Sequence, residues 1–289
     1  MTFETQGYYV RGGRTGVLLM HGLCGTPTEM RFVANGLART GCTVYCPMLA
    51  GHGGTEEDIK RTTWQDWYAS AERALDRLRE DCDTVIVGGL STGAVLALLL
   101  AARRPADVQG TALLAPTLWL NGWLIPWYAR LFRLVFSKRI ANLIGFPDLH
   151  PHGIKDERIR NFALDAMRGA DNMPADITVR GGGTVYEFFS LVRNVRPMLS
   201  LVKLHTLIFH PRHDDQSDIK NTMTLQRKLG GVVEVSVLED SYHLVTLDRQ
   251  RNYVVDRTAE FVDRILAAEA VKSGRKQASS SSKQLGAAE

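Results

Sequence analysis

Short apolar runs rich in Val, Ile and Leu alternate along this chain with longer segments of helical periodicity. A helix that connects two parallel strands covers one face of their sheet, so this alternation is typical of a mostly parallel sheet with helices on both faces. The runs predict strands at residues 17–20, 43–46, 84–88, 111–114, 206–210 and 232–238. The predicted fold class is therefore α/β.

Helical segments separate these strands. Between the second and third strands, large apolar residues recur every three or four positions, which predicts an amphipathic helix. These residues are Trp64, Trp67, Tyr68, Ala71, Leu75 and Leu78. We also expect helices at residues 92–103, 217–229 and 249–268.

The interval between the fourth and fifth predicted strands is too long for a single crossover helix. We therefore predict that residues 118–201 form an inserted, mainly helical cap over the sheet. Residues 1–117 and 202–271 then form the two parts of the core. Residues 272–289 contain a serine run and few bulky apolar side chains, which predicts a disordered tail.

Composition limits the classes of protein to consider. With 289 residues and 45% apolar residues, the chain can bury a sizeable core. The net charge is +4, and residues 272–289 supply +3 of it, so no basic face suggests a nucleic-acid partner. Four cysteines are too few for a disulfide scaffold, and no Cys/His spacing resembles a zinc site. With no secretory signal and no bilayer-length apolar run, we expect a soluble, cytoplasmic protein.

The motif GLSTG at residues 89–93 lies directly after a predicted strand and directly before a predicted helix. A sharp strand-to-helix turn strains its central residue, and small residues two positions to either side keep the crossing backbones apart. Such a turn exposes the hydroxyl of Ser91 above the N-terminus of a helix, which favours a developing oxyanion. The alternative is that Ser91 is only a helix N-cap. The strand-turn-helix setting favours a nucleophile.

A serine nucleophile requires a base and a carboxylate. Asp214 follows the strand at 206–210 within HPRHDD, and His243 follows the strand at 232–238 within SYHLVTLD. The chain order Ser91, Asp214, His243 is the order used on this kind of sheet. Asp215 is a rival carboxylate, and Asp248 is a weaker one because it lies within or near the next helix.

A loop with the sequence HGLCG follows the first predicted strand, at residues 21–25. It can direct the backbone N–H of Leu23 at a substrate carbonyl oxygen, with the N–H of Thr92 as second donor, and two donors form an oxyanion hole. His21, at a strand end, is expected to hydrogen-bond loops together rather than act as a base. Cys24 is expected to be a small packed thiol.

The sequence resembles the α/β-hydrolases and, within them, the small bacterial carboxylesterases and monoacylglycerol lipases. The resemblance lies in residues 17–103 and 206–261, in the blocks LLMHGLCGTPTEM, PMLAGHGGTEEDI, WQDW, GGLSTGA, HPRHDD and SYHLVTLD. It implies a catalytic triad of Ser91, Asp214 and His243, with oxyanion N–H groups from Leu23 and Thr92. It also implies a small-molecule ester substrate and no cofactor or metal. His52, in the GHGG turn, is then a loop organiser.

The predicted cap begins with an aromatic segment, residues 119–144. Trp119, Trp123 and Trp127 are candidates for lining an acyl pocket. Pro126 suits the first turn of an amphipathic helix. Packing on the sheet is the favoured role of this segment, and weak contact with an anionic membrane surface is the alternative. The basic residues that would make that contact include Arg130, Arg133, Lys138 and Arg139.

These residues predict a serine hydrolase, and the resemblance implies that it cleaves short to medium acyl esters or monoacylglycerols. Ser91 would form an acyl-enzyme, with His243 as base and Asp214 as orienting acid. Because the base must be neutral, activity should fall below a pH of about 6.5, the ordinary pKa of histidine. Acyl transfer or thioester cleavage on the same triad stays open. A non-catalytic ligand-binding protein is disfavoured because it need not keep the triad, and dehalogenation is disfavoured because it needs a carboxylate at Ser91.

Overall fold

The computed structural model describes residues 7–147, 152–168 and 179–285. Within these residues the strands are β1 (Tyr8–Val10), β2 (Thr15–Met20), β3 (Thr43–Cys46), β4 (Thr84–Leu90), β5 (Gly110–Leu114), β6 (Gly145–Pro147), β7 (Val179–Gly181), β8 (His205–Pro211) and β9 (Val233–Leu238). Seven of them form one sheet in the order β1-β3-β2-β4-β5-β8-β9. β1 is antiparallel to β3, and every other neighbouring pair in this sheet is parallel. The predicted α/β class is confirmed.

Helices connect the strands and cover both faces of the sheet. They are α1 (Arg31–Arg39), α2 (Glu56–Arg61), α3 (Trp64–Asp81), α4 (Thr92–Arg103), α5 (Lys138–Ala141), α6 (Glu157–Arg168), α7 (Gly182–Val195), α8 (Lys220–Lys228) and α9 (Arg251–Leu285). Short 3-10 helices span Pro27–Met30, Trp127–Leu134 and Arg196–Leu201.

Alternate residues of a strand point to opposite faces, and β2 shows how this builds two apolar layers. Leu18 and Met20 pack in the layer that contains residues of α3 and α4. Val17 and Leu19 pack in the layer that contains residues of α1 and α9. A strand buried on both faces must be apolar at every position, which is why these strands are continuous apolar runs in the sequence.

All six predicted strands are present, with ends within two residues of those predicted. The prediction lacks three strands, namely β1 and the antiparallel pair β6 and β7. Each of the three has only three residues, which is too short to carry an apolar alternation of its own.

The C-terminal helix differs from the prediction. We expected it to end near residue 268, followed by a disordered tail at 272–289, but α9 continues to Leu285. Lys272 forms an ion pair with Glu269 along the helix surface, which supports the helix at this point. Residues 286–289 lie outside the described part of the chain.

The described residues between β5 and β8, which are 115–147, 152–168 and 179–204, contain three helices, two 3-10 helices and the β6–β7 ribbon. The predicted amphipathic helix after Pro126 is a 3-10 helix, and Pro126 is its N-cap rather than a first-turn residue. The last helix, α7, packs against α3 and α4. Its Phe188 and Leu191 are buried in the same apolar layer as Leu96 of α4. This part of the insertion therefore belongs to the main core.

Two further features bear on the sequence predictions. Across the described ranges, we find no helix with both the length and the apolarity that crossing a bilayer requires. No disulfide joins the four cysteines.

Candidate active site

Ser91 lies in a tight turn between β4 and α4. Its backbone is left-handed, with φ 55° and ψ −109°, and it is the N-cap of α4. A Cβ at Gly89 would lie 2.5 Å from the carbonyl oxygen of Met20, and one at Gly93 would lie 2.2 Å from the same oxygen. Only glycine fits at these two positions, so the sequence requirement for small residues has a direct steric cause. The turn strains Ser91 and sets it above the first N–H groups of α4.

The loop after β2 lies against Ser91. A Cβ at Gly22 would be 3.8 Å from the Cβ of Ser91. The N–H of Gly25 donates to the carbonyl of Gly22 at 3.1 Å, and Cys24 has a φ of 60°, so Leu23 and Cys24 are the central residues of a tight turn. Leu23 and Thr92, the predicted oxyanion donors, thus belong to two backbone segments on either side of the serine.

Two buried side chains hold the peptide groups beside Leu23. The N–H of Gly22 donates to Oε2 of Glu29 at 3.0 Å, and its carbonyl accepts from Nδ1 of His21 at 2.9 Å. Because the Gly22 carbonyl and the Leu23 N–H belong to one planar peptide unit, fixing the carbonyl also fixes the direction of the N–H.

His21 is neutral and fully engaged. Nδ1 donates to the carbonyl of Gly22, so Nε2 is the acceptor for the N–H of Leu49 at 3.2 Å. Burial, with a smaller contribution from His52, lowers the pKa of His21 to about 3. The interpretation of His21 as a loop-binding residue agrees with this geometry. His52 is also buried, contacts the rings of His21 and Trp67, and bonds the carbonyl of Ala50.

Asp214 and His243 are in direct contact. Nδ1 of His243 donates to Oδ2 of Asp214 at 2.8 Å, and both side chains are almost completely buried. The N–H groups of Gln216 and Ser217 also donate to Oδ1 of Asp214, each at 2.8 Å. Burial alone raises the pKa of Asp214, but His243, with smaller contributions from His210 and the Ser217 N–H, outweighs burial and holds this pKa below its ordinary value. Asp214 is therefore ionised beside the imidazole.

The two rival carboxylates accept hydrogen bonds from backbone N–H groups. Asp215 accepts the backbone N–H of His243 at 3.2 Å, and burial raises the pKa of Asp215 above its ordinary value. Asp248 accepts the backbone N–H of Tyr242 at 2.8 Å. Among the three acids, Asp214 is the one with the geometry of an orienting carboxylate for His243.

Ser91 and the Asp214–His243 pair lie at the same edge of the sheet. Ser91 follows β4, Asp214 follows β8 and His243 follows β9, and these parallel strands all end at that edge. The hydroxyl of Ser91 donates to Oγ1 of Thr117 at 3.2 Å, and Thr117 follows the intervening strand β5. The structure thus brings the predicted acid and base into direct contact and places Ser91 at the same edge of the sheet.

The three tryptophans proposed for an acyl pocket have different surroundings. Trp119 is half-buried, and the guanidinium of Arg196 lies 5.8 Å from its ring centre. Nε1 of Trp123 donates to the carbonyl of His213 at 3.0 Å, next to Asp214. Trp127 is 74% exposed. Their role in binding substrate stays a prediction.

The proposed basic outer face of the insertion needs a correction at Lys138. Its Nζ donates to the carbonyl of Thr62 at 2.7 Å and pairs with the buried carboxylate of Glu187 at 3.2 Å. Lys138 is therefore used inside the protein and does not offer its charge to a membrane. Arg139 is exposed, as are apolar side chains of the insertion such as Phe136. Contact with a lipid surface stays a prediction.

Sequence reasoning missed Glu29 and Thr117 as neighbours of the site. Glu29 is 7% exposed although it is an acid, and Thr117 has no exposure. A glutamate between Thr28 and Met30, shortly after a glycine loop, is a weak signal that a buried acceptor holds that loop. No pattern in the sequence distinguishes Thr117 from an ordinary loop threonine.

The buried histidines predict a loss of stability in mild acid. Burial lowers the pKa of His52 to about 4 and that of His21 to about 3, against about 6.5 in the unfolded chain. Below pH 6.5 the unfolded state binds protons that the folded state does not, so this stability is complete above 6.5 and is lost towards the folded pKa values. From pH 7.5 to pH 5, each histidine should cost roughly 2 kcal/mol of unfolding free energy.

Urea unfolding at the two pH values measures this loss. Between pH 7.5 and pH 5, the free energy of unfolding of His52→Gln should fall by about 2 kcal/mol less than that of the wild type. His213→Gln, at an exposed histidine, should lose as much as the wild type. Equal losses in the wild type and His52→Gln would contradict the assignment.

Comparison with known proteins identifies a family and several similar enzymes. The profile of the family described as serine aminopeptidase, S33 (Hydrolase_4) matches residues 13–250. The chain is 28% identical over 258 residues to a thermostable monoacylglycerol lipase of Bacillus sp. (strain H-257), covering 88% of this chain and 92% of that protein. It is 23% identical over 257 residues to a carboxylesterase of Bacillus subtilis (strain 168), covering 88% and 95%. A solved structure from work on LipS and LipT, two metagenome-derived lipolytic enzymes, is 28% identical with a TM-score of 0.75, covering 90% of this chain and 98% of that one.

Fold, site and comparisons together define an enzyme, an α/β-hydrolase of the lipase and esterase type. The chain belongs to the serine aminopeptidase S33 family of these hydrolases. The resemblance to bacterial carboxylesterases and monoacylglycerol lipases is confirmed.

Proposed function

We propose that this enzyme hydrolyses short to medium acyl esters or monoacylglycerols through an acyl-enzyme on Ser91. The observation that carries the proposal is the buried contact between His243 and ionised Asp214, at the sheet edge where Ser91 is held in a strained turn. This combination is the one that a serine nucleophile needs for activation.

In the proposed mechanism His243 accepts the proton of Ser91 as the serine oxygen attacks the ester carbonyl. Because Nδ1 of His243 is hydrogen-bonded to Asp214, Nε2 is the nitrogen that takes the proton from Ser91 and later returns it. The imidazolium that forms is stabilised by the carboxylate and returns its proton to the leaving alcohol. Water, activated by His243 in the same way, then hydrolyses the acyl-enzyme.

The tetrahedral oxyanion would accept hydrogen bonds from the N–H groups of Leu23 and Thr92. Thr92 is the first residue of α4, so its N–H has no partner within the helix and lies at the positive end of the helix dipole. The Leu23 N–H is oriented through the Gly22 peptide, held by His21 and Glu29. Such preorganised donors stabilise charge without reorganising during the reaction.

The substrate class is supported by two observations. The curated relatives are named for monoacylglycerol lipase and carboxylesterase activity. The insertion that follows β5 carries many exposed apolar side chains, such as Trp127 and Phe136, which suit an apolar acyl substrate. The same acyl-enzyme could also be formed from a thioester or transferred to another alcohol, and these reactions are outcomes of the test below.

A substrate panel tests the proposal. We expect hydrolysis of p-nitrophenyl esters from acetyl to lauroyl and of monoacylglycerols, with kcat/KM at least about 100-fold above that for an aminoacyl p-nitroanilide or an acyl-CoA thioester. The anilide is included because the family is described by an aminopeptidase. A preference for the anilide or the thioester, or transfer to an added alcohol that exceeds hydrolysis, would contradict the proposed reaction.

A further inference from the structure

Two buried carboxylates outside the proposed triad hold the backbone around His243. Asp215 and Asp248 have no exposed surface. They lie between two segments, which we call the histidine loop, residues 242–244, and the insertion strap, residues 153–156. The histidine loop follows β9, and the strap lies just before α6 in the insertion between β5 and β8.

In the histidine loop, three consecutive backbone N–H groups have partners that fix them. The N–H of Tyr242 donates to Asp248 at 2.8 Å and that of His243 donates to Asp215 at 3.2 Å. The N–H of Leu244 donates to the carbonyl of Gly153 in the strap at 2.8 Å. The backbone that carries the imidazole is therefore fixed at every residue of the loop.

The strap uses the same two carboxylates. The N–H of Gly153 donates to Asp215 at 2.9 Å. The N–H groups of Lys155 and Asp156 donate to Asp248 at 2.8 and 3.1 Å. Each carboxylate thus accepts hydrogen bonds from both segments, and neither segment can move without breaking bonds to a buried acid.

Packing adds to the hydrogen bonds. Gly153 has a φ of +77°, and a Cβ built on it would lie 3.0 Å from Cγ of Leu244 and 3.3 Å from Cβ of His243. On the protein surface, Lys155 pairs with Asp240 at 2.7 Å, which links the same two parts of the chain by an exposed ion pair. The buried and exposed links differ in strength, because exposed pairs contribute little.

We propose that Asp248, together with Asp215, is a positioning residue for His243 and couples the insertion to the catalytic base through the strap. The inference rests on the proposed role of His243. Removing an acceptor from a buried N–H group is costly, so the loop would shift to find new partners. A misplacement of about 1 Å can lower a rate about 100-fold. A shift of the insertion would then also shift the imidazole of His243.

The first test is Asp248→Asn, measured on a soluble short-chain ester. The amide keeps the shape of the side chain but replaces one acceptor oxygen with an NH₂ donor that faces backbone donors. We expect kcat to fall about 10- to 100-fold with KM changed less than about threefold. The control is Asp240→Asn, which weakens only exposed ion pairs, those with Lys155 and Arg249, and should stay within about twofold of the wild type.

The second test acts from the insertion. Gly153→Ala adds the methyl group that presses on Leu244 and His243, and kcat should fall about 10-fold. Gly41→Ala is its control, because Gly41 also has a left-handed backbone, with φ +94°, but has no atom within 4 Å of an added Cβ. Gly41→Ala should be less stable but should keep the wild-type kcat.

Hydrogen exchange separates positioning from general instability. In Asp248→Asn, exchange should become faster in the strap and the histidine loop together, while β4 keeps its protection. Faster exchange in only one of the two segments, or a wild-type kcat in both Asp248→Asn and Gly153→Ala, would overturn the coupling. Failure of the wild type to hydrolyse esters would instead refute the proposed function, and the paired exchange would still test the coupling.

Discussion

Replacing Ser91 with alanine is expected to lower kcat for ester hydrolysis at least about 10⁴-fold while KM changes little. Alanine removes the attacking oxygen but keeps the Cβ, so the turn between β4 and α4 and the two glycine contacts with the Met20 carbonyl are retained. Steady-state kinetics with an active-site titration measure the effect. What activity remains should come from substrate binding and the oxyanion donors alone.

The matched control is Ser190→Ala, because Ser190 is a partly exposed serine of α7 whose hydroxyl accepts from Arg193. It should stay within about twofold of the wild type, as surface substitutions usually do. A Ser91→Ala enzyme that retains a tenth or more of the wild-type kcat would exclude an acyl-enzyme on Ser91.

Replacing Asp214 with asparagine is expected to lower kcat about 10⁴-fold. The amide cannot balance the charge of the imidazolium, and its NH₂ group can hold Nδ1 of His243 in the wrong tautomer. The two N–H groups of Gln216 and Ser217 that donate to Oδ1 would also lose a charged acceptor. Kinetics at pH 8, where an unperturbed histidine is neutral, separate this effect from simple titration.

Asp218→Asn is the control for Asp214→Asn. Asp218 lies in the same loop, and its carboxylate accepts the N–H of Lys220 rather than contacting a histidine. We expect its kcat to stay within about twofold of the wild type. A smaller effect for Asp214→Asn than for Asp218→Asn would remove Asp214 from the mechanism.

The main sheet and the order of the site residues follow from local sequence patterns. A parallel strand must be apolar on both faces, so β2 and β4 are visible as apolar runs. The turn at Ser91 is also visible, because Gly89 and Gly93 are required by contacts with a neighbouring backbone. Residues after the carboxyl ends of parallel strands meet at one edge, which makes the grouping of Asp214 and His243 predictable.

Residue types alone do not distinguish Asp214 from Asp215, and the sequence favours Asp214 through the family resemblance. The two are adjacent and equally acidic, but one carboxylate contacts the imidazole and the other contacts backbone N–H groups. This difference arises from how the loop folds, and no pattern of residue types encodes it.

The hydrogen bonds of the insertion strap to Asp215 and Asp248 also cannot be predicted from the sequence. The carboxylate of Asp248 accepts a hydrogen bond from the backbone N–H of Lys155, which lies 93 residues earlier in the chain. Its donors are backbone N–H groups, which nearly every residue has, so no residue type marks them in the sequence. In the sequence, Asp215 and Asp248 stand out only as rivals of Asp214 for the catalytic acid. Long-range bonds between a side chain and backbone leave no periodicity, so their function becomes visible only in three dimensions.

Peptide mapping by mass spectrometry after treatment with a serine-directed phosphonate tests the central claim most directly. We predict one phosphonyl group per chain, located on Ser91, with ester hydrolysis lost in proportion to labelling. A phosphonyl group on another residue, or full labelling of Ser91 with undiminished ester hydrolysis, would contradict the account.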